Sequence, residues 1–208
     1  PAGVVYNMKI CIWITKIFDL GGTKRVVSLL ANELVKEHEV TIMTYEDRFR
    51  EDRTMYHLSE DINVDSIDNS QFVNKHHTPA FCARYLVKKL NDRSGLFNKK
   101  SLNPILAEAI FPKKTREKWV EYFNSQDYDV ILTTASLSLR LAMIAPRLKA
   151  ATIGWQHNCY DGYLHVKPVV FWQQENLLQQ YLPNLDRYIV LSDYDKRDYM
   201  EKLGIDCE

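Results

Sequence analysis

Apolar and polar positions along the chain fall into blocks, and the period changes from block to block. Met8-Lys9-Ile10-Cys11-Ile12-Trp13-Ile14 is apolar at nearly every position. A strand covered on both faces reads this way, so the run predicts a buried first strand. From Gly21 to Lys36 the period lengthens: Val26, Val27, Leu30, Ala31, Leu34 and Val35 recur at three- and four-residue steps, the stripe of an amphipathic helix. Glu39–Thr44 predicts a second strand, and the alternating Ile62–Ile67 a third, nearer a sheet edge. Pro79–Asn124 has helical character throughout. Strands are then predicted at Asp129–Thr133, Ala150–Trp155 and Arg187–Leu191, and helices at Ser136–Leu148, Lys167–Tyr181 and Asp193–Leu203, with Gly204 ending the last.

Strand and helix in alternation predict an α/β fold: a Rossmann-like parallel sheet with helices on both faces and its first strand central. Ligands of such sheets sit beyond the carboxyl ends of the strands. Attention therefore falls on the loops Thr15–Thr23, Thr133–Ser136, Gln156–Gly162 and Ser192–Tyr194.

Composition narrows the picture. The 208 residues suffice for one large domain, and 46% hydrophobic with 26% charged residues suits a packed core rather than disorder. Residues 1–7 precede Met8 and read as an added stretch, with the domain proper running from 8 to 208. The formal net charge is zero, which argues against a nucleic-acid partner. The balance hides an asymmetry: Lys75–Lys118 holds eleven Lys/Arg against Asp92, Glu108 and Glu117, an excess of +8. Cys11, Cys82, Cys159 and Cys207 are widely spaced, form no zinc pattern and are expected to be reduced thiols of a cytoplasmic protein. No run reaches the roughly 18 apolar residues of a membrane span.

Candidate chemistry sits in the loops. Gly21-Gly22-Thr23 lies where the first strand passes into the first helix. Glycines admit close approach to the backbone, and the exposed N–H groups of a helix start favour an anion. A tight turn without a ligand is the plainer alternative. Gly-x-Gly-x-x-Gly and Walker A sequences are absent, which speaks against a dinucleotide oxidoreductase. His157 and Asn158 follow the Ala150–Trp155 strand, where an imidazole reaches a sugar or phosphate or simply ties down backbone. Ser192 or Asp193 is placed to cap the last helix. The basic block interleaves its charges with Phe81, Tyr85, Leu86, Phe97 and Ile110, a composition that suits an anionic membrane surface or an ordinary solvated face. Asp47, Glu51, Asp52, Glu60, Asp61 and Asp65 lack metal-ligand spacing and read as a solvated loop.

The order of three segments resembles the family 4 retaining glycosyltransferases. These are Met8–Trp13 followed by Gly21-Gly22-Thr23-Lys24-Arg25-Val26-Val27, then His157-Asn158, then Asp186–Ser192 with Tyr194, Lys196 and Arg197. Lys24 departs from the acidic residue often found before the Arg. The resemblance implies the N-terminal, acceptor-side half of a GT-B enzyme, with the donor-binding half and its Glu-x7-Glu motif lying outside the chain. It implies transfer of a sugar from a nucleotide sugar with retained anomeric configuration, without metal or other cofactor. Gly21, Gly22, Thr23, Asn158 and Ser192 would then line the substrate site, and His157 would contact the donor sugar rather than act as a base. The basic middle would suit a glycan or lipid-linked acceptor at the inner face of a bacterial cell membrane, as in surface-polysaccharide assembly. A non-catalytic module of the same fold, docking on a partner transferase or a membrane, is the alternative.

Overall fold

The computed structural model describes residues 7–45, 51–68, 72, 78–166 and 170–208. The expectations for residues 1–6, Asp47, Lys75 and the Lys167 end of the predicted helix Lys167–Tyr181 lie outside the described residues.

Six parallel strands form one sheet in the order β3-β2-β1-β4-β5-β6. They are β1 (Lys9–Trp13), β2 (Glu39–Thr44), β3 (Asn63–Ser66), β4 (Val130–Thr134), β5 (Ala151–Trp155) and β6 (Arg187–Ile189). This is the strand order of a Rossmann fold, and its reversal of direction falls between β1 and β4. The first strand is central, with Cys11 opposite Thr41 on one side and Ile131 on the other. β3 is the edge strand that its alternation predicts.

The apolar run of β1 serves two cores. Ile10, Ile12 and Ile14 pack with Val27 and Ala31 of α1 (Gly22–Leu34), whereas Cys11 and Trp13 face the opposite layer. That layer includes α4 (Lys113–Ser125) and α5 (Ser136–Ile144). Period-two alternation therefore persists inside a continuously apolar strand, and each half has its own partner. Beneath β1 the indole of Trp13 lies 4.6 Å from that of Trp119, which stacks on Phe72 at 3.9 Å. Such aromatic pairs contribute about 0.5–1.5 kcal/mol each beyond their buried area.

The basic middle folds as α2 (Pro79–Ser94), α3 (Asn103–Ile110) and α4. Thr78 caps α2 by accepting from the Phe81 N–H, and Gly95 ends it at φ 66°. The last turns are α6 (Tyr160–Leu164), α7 (Glu175–Tyr181) and α8 (Asp193–Asp198), the last continuing as a π-turn, Tyr199–Leu203, that Gly204 closes at φ 67°.

Four local expectations are corrected. The helix after β4 stops at Ile144, because Pro146 lacks the N–H to continue it and a 3-10 turn follows. β6 ends at Ile189, because the Val190 N–H turns to the Glu208 carbonyl instead. Residues 171–174 lie outside any helix, with Gln173 at φ 56°, so the helix there begins at Glu175. Val26, expected on the packed stripe of α1, is 39% exposed, and Ser28 is buried in its place.

Candidate functional site

All six strands point the same way, so the loops after β1, β4, β5 and β6 emerge along one edge. The glycine turn sits at the start of α1, where no side chain caps the helix and no acid stands in its first turn. The orphan N–H groups of such a start carry a partial positive charge. The turn is held from outside: the Tyr56 hydroxyl accepts from the Gly21 N–H at 2.9 Å and donates to the Gly21 carbonyl at 3.3 Å. Gly22 is open, since a Cβ there would meet nothing within 4 Å. Neither glycine occupies the left-handed region, so backbone strain does not account for the residue type. Thr23, half-buried, follows in the first helical turn.

Lys24 changes the electrostatics of this turn. Its side chain folds back so that a Cβ on Gly21 would lie 3.2 Å from both Cδ and Nζ. An ammonium group and a helix N-terminus repel one another by dipole and charge, typically by 0.3–1 kcal/mol at an exposed site. A bound anion converts that repulsion into a shared attraction.

The loop after β5 is anchored by a residue that the sequence pattern does not single out. Gln156 is 1% exposed. Its Oε1 accepts from the Tyr188 hydroxyl at 2.7 Å and from the Tyr199 hydroxyl, while its Nε2 donates to the Asn158 carbonyl at 2.7 Å. Burial raises both phenol pKa values, which keeps the hydroxyls protonated as donors. His157, next along, packs its ring 4.3 Å from that of Trp155 and donates its backbone N–H to the Tyr163 hydroxyl. Burial lowers the pKa of its imidazole, which holds the ring neutral at pH 7. Its Nε2 is shielded from solvent and has no hydrogen-bond partner. A buried orphan nitrogen costs about 1–3 kcal/mol, and a ligand hydroxyl beside it would remove that cost. Asn158 is exposed, and its Oδ1 accepts from the Cys159 N–H.

Ser192 is the N-cap of α8, accepting from the Asp195 N–H at 3.2 Å and donating to Asp195 Oδ2 at 2.8 Å. Asp195 is buried, and its Oδ1 accepts from the Tyr160 N–H at 2.8 Å. The structure therefore ties Ser192 and the His157–Asn158 loop together through Asp195 and Gln156. The glycine turn is fixed separately, by Tyr56.

Ala135 also lies at this edge, between β4 and α5, with φ 50° and ψ −125°. A non-glycine residue there carries strain of order 1–3 kcal/mol, of the kind held at functional sites. Spacing gives no hint of it. The four cysteines are free thiols, and burial pushes the Cys207 thiol up to about 12. Among the described residues no group of three metal-ligating side chains assembles, and no helix is long and apolar enough to cross a membrane.

The basic helix α2 has an unusual face. Of its sixteen residues only Asn91 is buried, while Tyr85, Leu86 and Leu90 are exposed beside Lys88, Lys89 and Arg93. The acidic counterweight is engaged elsewhere: Arg53 pairs with Glu51 and Glu60, and Asp65 accepts from Tyr122.

Comparison with known proteins agrees with this layout. Residues 20–208 match the model of Glycosyltransferase Family 4. No curated protein sequence matches significantly. Among solved structures, a sucrose-phosphate synthase from Thermosynechococcus elongatus superposes with a TM-score of 0.57 at 13% identity, covering 96% of this chain and 46% of that one. The lipopolysaccharide outer core galactosyltransferase WaaB in its apo form gives 0.52 at 14% identity, covering 95% and 43%. Arabidopsis thaliana UGT89C1 complexed with UDP-L-rhamnose gives 0.51 at 13% identity, covering 95% and 50%. These likenesses concern the fold, and the chain spans half or less of each of those structures.

Proposed function

The chain belongs to glycosyltransferase family 4, and on that premise we propose that it is the acceptor-side half of a retaining enzyme that moves a sugar from a nucleotide sugar to a glycan or lipid-linked acceptor. The second, donor-binding half would belong to the same protein outside this chain. One observation carries the reading: an uncapped helix start with an open glycine and a folded-back lysine lies on the same sheet edge as an orphan, neutral histidine nitrogen. The first feature suits a diphosphate and the second a sugar hydroxyl.

In this reading Gly22 lets the donor diphosphate approach the N–H groups of α1, with Lys24 supplying a counter-charge. His157 Nε2 accepts from, or donates to, a hydroxyl of the donor sugar. It positions the sugar, and the burial that lowers its pKa disfavours the imidazolium that taking the acceptor's proton would form. Gln156 fixes the loop that carries it, and Ser192 and Asn158 border the same cleft. As charge develops on the leaving diphosphate, fixed donors at the helix start stabilise it without reorganising. This chain forms one wall of the cleft, so by itself it would bind and not turn over.

The exposed basic and apolar side chains of α2 would rest on an anionic membrane, where charge and apolar side chains together bind far better than either alone. That placement suits surface-polysaccharide assembly at the inner face of the cell membrane.

The test uses the proposed enzyme with both halves of its cleft, assayed for nucleoside diphosphate release from a panel of nucleotide sugars with a lipid extract as acceptor source. Gly22→Val and His157→Ala should each lower kcat/KM at least tenfold while the thermal midpoint stays within about 2 °C. Near-normal turnover in both folded variants would reduce these residues to turn and packing roles.

A further inference from the structure

Two cavities meet on the layer of helices behind the sheet. One, of about 230 Å³, lies among α2, α3, α4 and α5 and is lined on its apolar side by Phe81, Tyr85, Ile110, Phe111, Pro112 and Trp119. The other, of about 220 Å³, reaches Ser136, the residue that opens α5 just beyond the carboxyl end of β4. They share Lys88, Ile110 and Arg140, so the two hollows adjoin across these side chains as the halves of one trough. Three cations line it: Arg84, Lys88 and Arg140. Among the described residues no acidic side chain lines either cavity. Among the described residues none of the three cations forms an ion pair, and Arg140 instead lies 5.8 Å above the Phe111 ring. Lys88 and Arg84 belong to the basic stretch, but Arg140 comes from a different helix more than fifty residues on. Convergence of three unpaired cations on an otherwise apolar hollow disfavours each of them, and an anion offsets that repulsion.

We propose that this trough binds a lipid phosphate: an anionic phosphate ester held by Arg140 and Lys88 at the junction, with its hydrocarbon lying against Phe81, Tyr85 and Trp119. Guanidinium forks grip phosphate oxygens in pairs, and the unpaired Arg140 is free to do so. The cavity that reaches Ser136 places the phosphate end toward the sheet edge where β1 and β4 part, and the apolar end toward the exposed face of α2. A glycan carried on such a phosphate would thus point at the cleft while its tail leads back to the membrane. The proposal rests on the reading of the acceptor as lipid-linked and gives that acceptor a binding site and two recognition residues.

The test is direct binding, which requires no turnover. Farnesyl phosphate serves as probe, with farnesol and inorganic phosphate as separate arms, measured by equilibrium dialysis against the 208-residue chain. Farnesyl phosphate should bind at least tenfold more tightly than either farnesol or phosphate. Arg140→Gln and Lys88→Gln, both on partly or fully exposed side chains, should each weaken farnesyl phosphate at least fivefold and leave farnesol unchanged within twofold. Phe81→Ser should weaken farnesyl phosphate and farnesol alike. Equal affinity for farnesyl phosphate and farnesol would overturn the anion site. Inorganic phosphate binding as tightly as the ester would overturn the apolar half. Unchanged affinity in both Arg140→Gln and Lys88→Gln would place the ligand elsewhere. Loss of sugar transfer with intact lipid-phosphate binding would count against the proposed function alone, and the reverse against this site alone.

Discussion

Replacing Gln156 with Leu isolates what holds the histidine loop in place. The substitution puts an apolar side chain of similar size into a site that is 1% exposed and removes the amide's acceptor and donor. Two buried phenol hydroxyls, of Tyr188 and Tyr199, lose the Oε1 that accepts from them, and the Asn158 carbonyl loses its donor. An orphaned buried polar group costs about 1–3 kcal/mol. The two hydroxyls lie 3.5 Å apart and satisfy each other in part, and the Asn158 carbonyl belongs to an exposed residue that water can reach. The expected loss is therefore about 2–4 kcal/mol of unfolding free energy, read from urea denaturation at constant m. The sign of a second substitution sharpens the test. In the unaltered chain Tyr199→Phe should cost about 1 kcal/mol, whereas with Leu at 156 it should cost nothing or stabilise, because it deletes a hydroxyl already orphaned. A loss below about 0.5 kcal/mol for Gln156→Leu, or equal costs of Tyr199→Phe in both backgrounds, would refute the claim that this network fixes the loop.

Four further outcomes are expected. Gly154→Ala should destabilise the fold by about 1–3 kcal/mol, since its Cβ would lie 2.8 Å from Tyr188 Cδ2 and 2.9 Å from Leu185 Cδ1. Gly22→Val, by contrast, should leave the urea midpoint unchanged, and a marked destabilisation would show that the open space there is not real. The imidazole of His157 should titrate below the ordinary value near 6.5 when followed by proton NMR. Its folded pKa is depressed, so the unfolded chain takes up a proton first, and His157 should weaken the fold as pH falls from about 6.5 toward the folded pKa. Replacement by Gln should flatten stability in that window, and a titration at or above 6.5 would contradict the burial argument. Sedimentation with phosphatidylglycerol vesicles should pellet the chain, less so as salt rises past 0.1 M, where screening acts over about 10 Å. Phosphatidylcholine vesicles should not pellet it, and converting Lys88, Lys89, Lys99 and Lys100 to Glu should abolish the effect. Equal behaviour with the two lipids would leave α2 as a solvated surface.

The sheet was legible in the sequence because a central strand covered on both faces runs apolar without a break, as in Met8–Ile14, whereas the edge strand showed itself by alternation. The positions of Gly21, His157 and Ser192 at one edge followed from the parallel order alone. What escaped the sequence depends on partners far along the chain. Tyr56 holds Gly21 across 35 residues, and Gln156 meets Tyr188 and Tyr199 across 32 and 43. No local period encodes such pairs. The strain at Ala135 is set by how β4 must turn into α5, and alanine carries no turn signature. Lys24 looked like a departure from the family pattern, and only its folded-back side chain explains what the cation does at the helix start. Arg140 falls on the same side: its position in α5 marks it as a helical surface residue, and only the folded chain brings it to the cavity that Lys88 lines.

The central claim is that the edge carrying Gly22 and His157 forms half of a sugar-transfer cleft for a lipid-borne acceptor. Partition of a radiolabelled sugar tests it most directly. The proposed enzyme, with both halves of its cleft, would be incubated with the labelled nucleotide sugar and a membrane lipid extract, and the organic phase counted and examined by proton NMR at the anomeric proton. The account predicts label in the lipid phase with the anomeric configuration of the donor, none with the 208-residue chain alone, and a loss of at least tenfold with Gly22→Val. Label released only as free sugar, label transferred with inverted configuration, or full transfer by the 208-residue chain alone would contradict it.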